Sequence, residues 1–350
     1  MKTFVRHAAA LLAVAVACQT GMAADDYYNW ASSNDQSATA VANEKVTTPA
    51  QSSCTNCEQL CNTNCCESGL AIVGFAGFDA FKGVSDFNYN DNFGVVTGLN
   101  ASVPLFGLSE YGFGWQLGMS YGIYDFDGRD TYNTASSQEQ TFITTGFFRK
   151  ARCDEHLSFG LVYDWMVNTD WGVFANDPTL GQWRGQVEWA TSDCNAYGVR
   201  GAVRDNTSRE RVLSNTFLVS NRAVSHAEGF WRHEFECTKA ESFLWAGLTQ
   251  NDRLSGDGSL SDWLIGASVE VPLSDRISLY ANAQYVHPTA AAGPDASIDS
   301  CYDIGMGITV YFGGCCCNCN HSTHCANGPY LPVANNSTFL VDQDFSLIRR

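Results

Sequence analysis

The residues with the most obvious chemistry are cysteines, fifteen of them in a chain of 350. Five form an N-terminal group spaced C-x2-C-x3-C-x3-C-C, namely Cys54, Cys57, Cys61, Cys65 and Cys66. Five more form a C-terminal group spaced CCC-x-C-x5-C, namely Cys315, Cys316, Cys317, Cys319 and Cys325. His321 and His324 fall among the latter, so Cys316, Cys319, His321 and His324 make a possible thiolate–imidazole zinc set. Covalent haem attachment is excluded, because the residues after the two C-x-x-C pairs are Glu58 and Asn320, not histidine. In an oxidising compartment the same ten cysteines become disulfides, with zinc as the alternative. Spacing does not fix which pairs with which.

The compartment follows from the first 24 residues. Lys2, Arg6 and His7 precede the apolar run AAALLAVAVA, and small residues ending GMAA precede Asp25, which is the layout of a secretory leader. The run is too short to span a bilayer. A lipoprotein reading with Cys18 as the lipidated residue is the minor alternative, weakened by Ala15 where larger aliphatics are usual. Loss of Lys2 and Arg6 with the leader leaves 18 basic residues against 37 acidic. Such a chain repels phosphate backbones, and nucleic acid is excluded as a partner.

Catalytic patterns are sparse. His156 and Ser158 flank Leu157 and share one strand face, as in a barrel hydrolase, yet the pair sits at a short turn and reads as a solvated histidine. There is no P-loop or H-E-x-x-H, and no pattern calls for a cofactor. Asp164, Arg184, Glu188, Arg200 and Arg204 are charged residues inside apparent strands, where mixed signs line, pair across or plug a lumen.

The elements that would position these residues have a period of two. In YGFGWQLGMSYGIY, Phe113, Trp115, Leu117, Met119, Tyr121 and Ile123 alternate with Gly114, Gln116, Gly118, Ser120 and Gly122. LSFGLVYDW, ISLYANAQYV and YDIGMGITVYF repeat the scheme. One apolar face and one small or polar face suits lipid outside and water inside. Beyond the leader no run approaches the length of a membrane-spanning helix, and a membrane protein without such helices must be a closed barrel.

The expected fold is therefore all-β, an up-and-down antiparallel transmembrane β-barrel of about twelve strands, with ten or fourteen still open. The strands fall near 70–82, 93–104, 112–124, 139–149, 157–167, 182–190, 197–204, 222–236, 242–250, 261–272, 277–287 and 302–313. Connections after odd strands are long and those after even strands mostly short, with the long loops expected outside. Trp165, Trp189, Trp263, Tyr285 and Phe312 near strand ends suit interfacial girdles. A soluble β-sandwich would also alternate, but it explains neither the glycine-rich face nor the asymmetry of connections. The chain thus divides into a leader (1–24), a linker (25–53), a cysteine-rich knot (54–68), a barrel (69–314) and a cysteine-rich segment with a tail (315–350).

Leader, knot, glycine- and aromatic-rich strands and the closing PYLPVANNSTFLVD together make the chain resemble an uncharacterised family of exported Planctomycetes proteins, a domain of unknown function similar to outer-membrane barrels. The resemblance implies an envelope location and assigns no functional residues. From the residues, the expected function is a non-enzymatic passive channel for small solutes in the outer membrane, with lipid as its surroundings. The alternatives are a structural envelope protein cross-linked to partners through its cysteines, and last a barrel hydrolase. If both barrel ends lie on the periplasmic side, Cys65 and Cys66 approach Cys315, Cys316 and Cys317 in one clasp. Cys153, Cys194 and Cys237 would share that side, with Cys301 at the other.

Overall fold

A computed structural model describes residues 69–86, 91–126, 137–151, 155–192, 194–235, 238–250, 260–274, 276–288, 301–312 and 328–348. The leader, the linker and both cysteine groups lie outside these residues, as do Cys153 and Cys237, so the clasp and the zinc set do too.

Twelve strands close into one antiparallel barrel. In chain order they are β1 (Ala71–Lys82), β2 (Asn92–Pro104), β3 (Phe113–Tyr124), β4 (Gln138–Arg149), β5 (Leu157–Thr169), β6 (Thr179–Ser192) and β7 (Asn195–Arg204), then, after two further strands, β10 (His226–Glu234), β11 (Glu241–Thr249), β12 (Leu260–Ser274), β13 (Ile277–Pro288) and β14 (Cys301–Phe312). Closure is made by β1 on β14, in register from Ile72↔Phe312 to Lys82↔Tyr302. No edge strand is left in the ring, which is the condition for lying in lipid, where unpaired backbone groups find no partner.

The period-two pattern dictates which side chains face out. Leu99, Leu117, Met119, Leu161, Val199, Ile265, Met306 and Ile308 are exposed on the outer wall. Their neighbours Asn100, Gln116, Ser120, Asp164 and Gln284 are buried on the inner one. Trp165 and Trp263 face outward at the end that carries the long connections, while Trp189 and Phe312 do so at the short-turn end. Trp263 and Tyr285 also touch, with ring centroids 5.6 Å apart.

Three strands are not part of the ring. β8 (Thr207–Val212), β9 (Phe217–Ala223) and β15 (Val341–Leu347) form a separate antiparallel sheet in the order β15-β9-β8. This corrects two expectations. Residues 205–221, expected as a loop, hold a hairpin, and the expected strand 222–236 merges the end of β9 with β10. The chain breaks between them at Val224, whose N–H donates to the Leu340 carbonyl instead of a ring neighbour (2.9 Å). The weak alternation of that stretch follows from its belonging to two different sheets.

The lumen corrects a third expectation, because it is filled by the chain itself. β14 ends at the short-turn end. Residues 328–340 then run through the interior to the long-loop end, where β15 joins β9 from Val341↔Ala223 to Leu347↔Phe217. Val333, Ala334, Phe339 and Val341 pack in one buried apolar cluster with Phe142, Met166, Trp171 and Leu180 of the wall and its long loops. Leu340 packs in a second with Val84, Val224, Phe230, Trp245, Leu264, Val286 and Cys301. At the mouth, Phe174, Val212 and Val219 form a third. Apolar clusters stand where a water-filled pore was expected.

Candidate functional site: a lumen occupied by the C-terminal segment

Residues 328–348 carry Pro329 and Pro332 and adopt no regular structure until Val341. An irregular segment in a buried interior must find partners for its backbone groups. The wall provides them from both sides of the ring. Tyr330 and Leu331 donate their N–H groups to Gln116 Oε1 (3.1 and 3.0 Å), and Gln116 Nε2 donates back to the Leu331 carbonyl (2.8 Å). Asn100 Nδ2 donates to the same carbonyl (3.0 Å). Arg184 Nη2 donates to the Pro332 carbonyl (2.7 Å), and the Ala334 N–H donates to Thr144 Oγ1 (2.9 Å). Further along, Gln284 Nε2 donates to the Ser337 carbonyl (2.8 Å) and Gln182 Nε2 to the Thr338 carbonyl (2.9 Å).

The organiser of this lattice is Asp164, one of the residues singled out by sequence. It is fully buried on β5. Its carboxylate receives Arg184 in a bidentate pair (Nε to Oδ2 2.8 Å, Nη2 to Oδ1 3.1 Å), together with Thr144 Oγ1 (2.7 Å) and Gln182 Nε2 (3.1 Å). All three of those groups also touch the segment's backbone. One carboxylate therefore fixes the orientation of three tail contacts.

The other charged candidates also face inward. Glu188 holds Arg232 in a two-point pair (2.6 and 3.1 Å), and Arg232 reaches Glu241 as well (3.0 Å). Arg200 pairs with Glu228 and lies over the Trp245 ring, 4.5 Å from its centroid. Arg204 is half-buried at the long-loop end of β7, on the face shared by Arg200. The structure thus joins Asp164 with Arg184, and pairs Glu188 and Arg200 with Arg232 and Glu228, two residues that sequence reasoning passed over. Both lie in the stretch whose two-sheet composition blurred the period.

Two further contacts tie the segment by its side chains. Asn336 Nδ2 donates to Asp79 Oδ2 (3.0 Å), which also accepts from the Tyr124 hydroxyl (2.8 Å). Tyr330 meets Gln186 through its hydroxyl (3.2 Å). At the far end, Arg222 and Asp342 form a buried ion pair between β9 and β15 (2.7 Å), and Gln343 Nε2 donates to Asn221 Oδ1 (2.9 Å).

Glycine makes room on the wall. A Cβ at Gly160 would lie 2.4 Å from Leu331 Cδ1 and 2.8 Å from Tyr330 Cδ1, and one at Gly118 would lie 2.5 Å from Val333 Cγ2. The signal for an occupied lumen was present in the tail itself: Leu331, Val333, Phe339, Leu340 and Val341 are too apolar to remain solvated. No hydrolytic pair is assembled at the short turn. His156 is exposed and stacks on Trp189, 5.7 Å between centroids, while Ser158 faces inward and its Oγ accepts from the Ala151 N–H (2.9 Å). Cys301 is buried at the long-loop end, and Cys194 follows β6 at the short-turn end. Among the described residues no cluster of His, Cys, Asp and Glu is arranged to hold a metal.

Solved structures with a similar fold include several that are distant in sequence. The NanC porin in a rhombohedral crystal form is 11% identical with a TM-score of 0.41, over 68% of this chain and 98% of that one. The KdgM porin in complex with disordered oligogalacturonate is 7% identical with a TM-score of 0.40, over 69% and 99%. Outer membrane phospholipase A from Escherichia coli is 8% identical with a TM-score of 0.39, over 68% and 95%. No curated protein matches the sequence. A family model does match, over residues 71–341, a span that takes in the whole ring and the segment lying in the lumen, and the chain accordingly belongs to the family of unknown function DUF6666.

Proposed function

We propose that the protein is an outer-membrane barrel whose solute path is shut by its own residues 328–348, and that it conducts small solutes when this segment leaves the lumen. The observation behind this reading is the segment's course from one end of the ring to the other. The apolar outer wall, with Leu117, Met119 and Leu161 exposed, supports placement in lipid. The polar inner wall supports a wet lumen once the segment is gone, since Asn100, Gln116 and Gln284 can hydrogen-bond water in its place.

The test is conductance of the reconstituted full chain in a planar bilayer. The parent is expected to stay near baseline, with rare openings. Gln116→Ala, which removes three hydrogen bonds to the segment, is expected to raise the open fraction. A second reading is favoured by the anchoring of the segment at both ends, in the Gln116 lattice and in β15. It makes the barrel a permanently closed structural body, cross-linked in the envelope through its cysteine-rich flanks. A current that stays at baseline in Gln116→Ala and Gln284→Ala, with a high-mass ladder on non-reducing gels, decides for that alternative.

A further inference from the structure

The bonds between wall and segment have a common property: most of them go to peptide groups. Asn100, Gln116, Thr144, Gln182, Arg184 and Gln284 all meet main-chain atoms of residues 330–338. Side-chain contacts of the segment, such as Asn336 with Asp79 and Tyr330 with Gln186, are fewer.

These wall groups are also held in position by the wall itself. Asp164 fixes Thr144, Gln182 and Arg184. The Trp245 indole N–H donates to Gln284 Oε1 (2.9 Å), which turns the Gln284 amide N–H toward the Ser337 carbonyl. A site whose donors and acceptors are oriented in advance loses little rotamer entropy when its ligand arrives. At the long-loop end the recognition changes form. β15 adds to β9 as an edge strand through main-chain bonds, the mode by which sheets bind extended peptides. Both halves of the track therefore read a backbone.

We propose that the lumen is a binding track for an extended polypeptide, running from the short-turn end to the long-loop end, with residues 328–348 as its resident occupant. The inference rests on the reading that this segment is displaceable, and it adds the chemical class of what the lumen binds. The pockets taken by Leu331, Val333 and Phe339 set a preference for apolar side chains at those spacings, and the main-chain contacts set affinity.

The test uses the full chain with a specific protease site inserted between Phe312 and Gly328, cut after folding. The cut segment is expected to stay bound through gel filtration and then to exchange for a fluorescent synthetic peptide of residues 328–348. The same peptide N-methylated at residues 330, 331 and 334 loses its three donors to Gln116 and Thr144 while keeping every side chain. It is expected to compete on the order of a hundredfold more weakly, about one kcal/mol being typical of each lost bond. In a barrel carrying Asn100→Ala, which keeps the Gln116 lattice, exchange is expected to quicken several-fold. The proposal is overturned if the labelled peptide never incorporates, whether the cut segment stays fixed or falls away. It is equally overturned if the N-methylated peptide competes as well as the unmodified one. Conductance that rises in Gln116→Ala without any peptide incorporation leaves the closed-channel reading standing and removes this one alone.

Discussion

Replacing Asp164 by Asn tests the centre of the lumen. The substitution keeps the volume and removes the charge from a side chain that is 0% exposed, opposite an Arg184 that is 4% exposed. Arg184 would remain in a dry wall without its bidentate partner, and breaking a buried pair from one side costs about 3–5 kcal/mol. Weakening of the Thr144 and Gln182 bonds falls within that figure. Unfolding by urea in detergent micelles, followed through the nine tryptophans, reads the loss directly. The double change Asp164→Leu with Arg184→Met exchanges the pair for apolar side chains and is expected to recover most of the stability. It does not restore the Arg184 bond to the Pro332 carbonyl, so the tail should still be cut faster by protease in the double variant. A single variant within about 1 kcal/mol of the parent would refute the assignment of Asp164 as organiser, because 3–5 kcal/mol is the expectation for a truly buried pair. So would a double variant no more stable than the single one.

Three further outcomes follow from separate parts of the molecule. Leu161→Arg and Met119→Arg, on the apolar outer wall, are each expected to cost about 2–4 kcal/mol in folding into liposomes if that wall meets lipid as proposed, and unchanged stability would remove those residues from the bilayer. Gly160→Val places methyls where Leu331 and Tyr330 lie, so an overpacking cost of about 1–3 kcal/mol is expected, readable as a lower urea midpoint or as faster proteolysis of the tail. Arg222→Met leaves Asp342 buried and unpaired. Because β15 is a short edge strand, the expected result is its detachment, seen as selective cleavage within residues 341–348 while the ring stays protected.

The ring was legible because its determinants are local. Alternation in YGFGWQLGMSYGIY and LSFGLVYDW places Met119 and Leu161 outside, and Ser120 and Asp164 inside, with no knowledge of their neighbours. The seam between β1 and β14 follows from closure alone. The occupied lumen was not legible in the same way. Pro329 and Pro332 keep residues 328–340 out of any periodic element, and their burial depends on partners such as Asn100 and Gln116 more than two hundred residues away. A water-filled lumen would make Ser120→Arg a mild change, and the occupied one does not, for that reason. Ser120 is 2% exposed, and its hydroxyl points at the Ala334 carbonyl (3.5 Å), so an arginine there meets the tail and not water. The β8–β9 hairpin was missed through its polarity. TSRERV alternates, but three charged residues on a strand at a barrel mouth read as a loop.

Ring size leaves room for a further element in the lumen. Eight strands leave an interior that wall side chains fill by themselves, and sixteen to eighteen leave an aqueous channel. Twelve fall between, and here the interior takes residues 328–340 besides the wall's own side chains. The wall responds in two ways. On the β6–β11 side it sends in long charged side chains, with Glu188, Arg232 and Glu241 in one chain of pairs and Arg200 with Glu228 over Trp245 in another. On the β3–β5 side it presents Gly118 and Gly160, which recede, and the space they leave takes Val333 and Leu331. Asp164 and Arg184 stand on β5 and β6, where the two regimes meet, paired to each other and joined to the segment's backbone. Long charged residues on one arc and glycine on the other thus give the lumen an off-axis groove suited to a single extended chain. Filling that groove with a side chain at Gly160 should displace the segment, whereas shortening a charged residue on the other arc should leave it in place and add a water-filled gap.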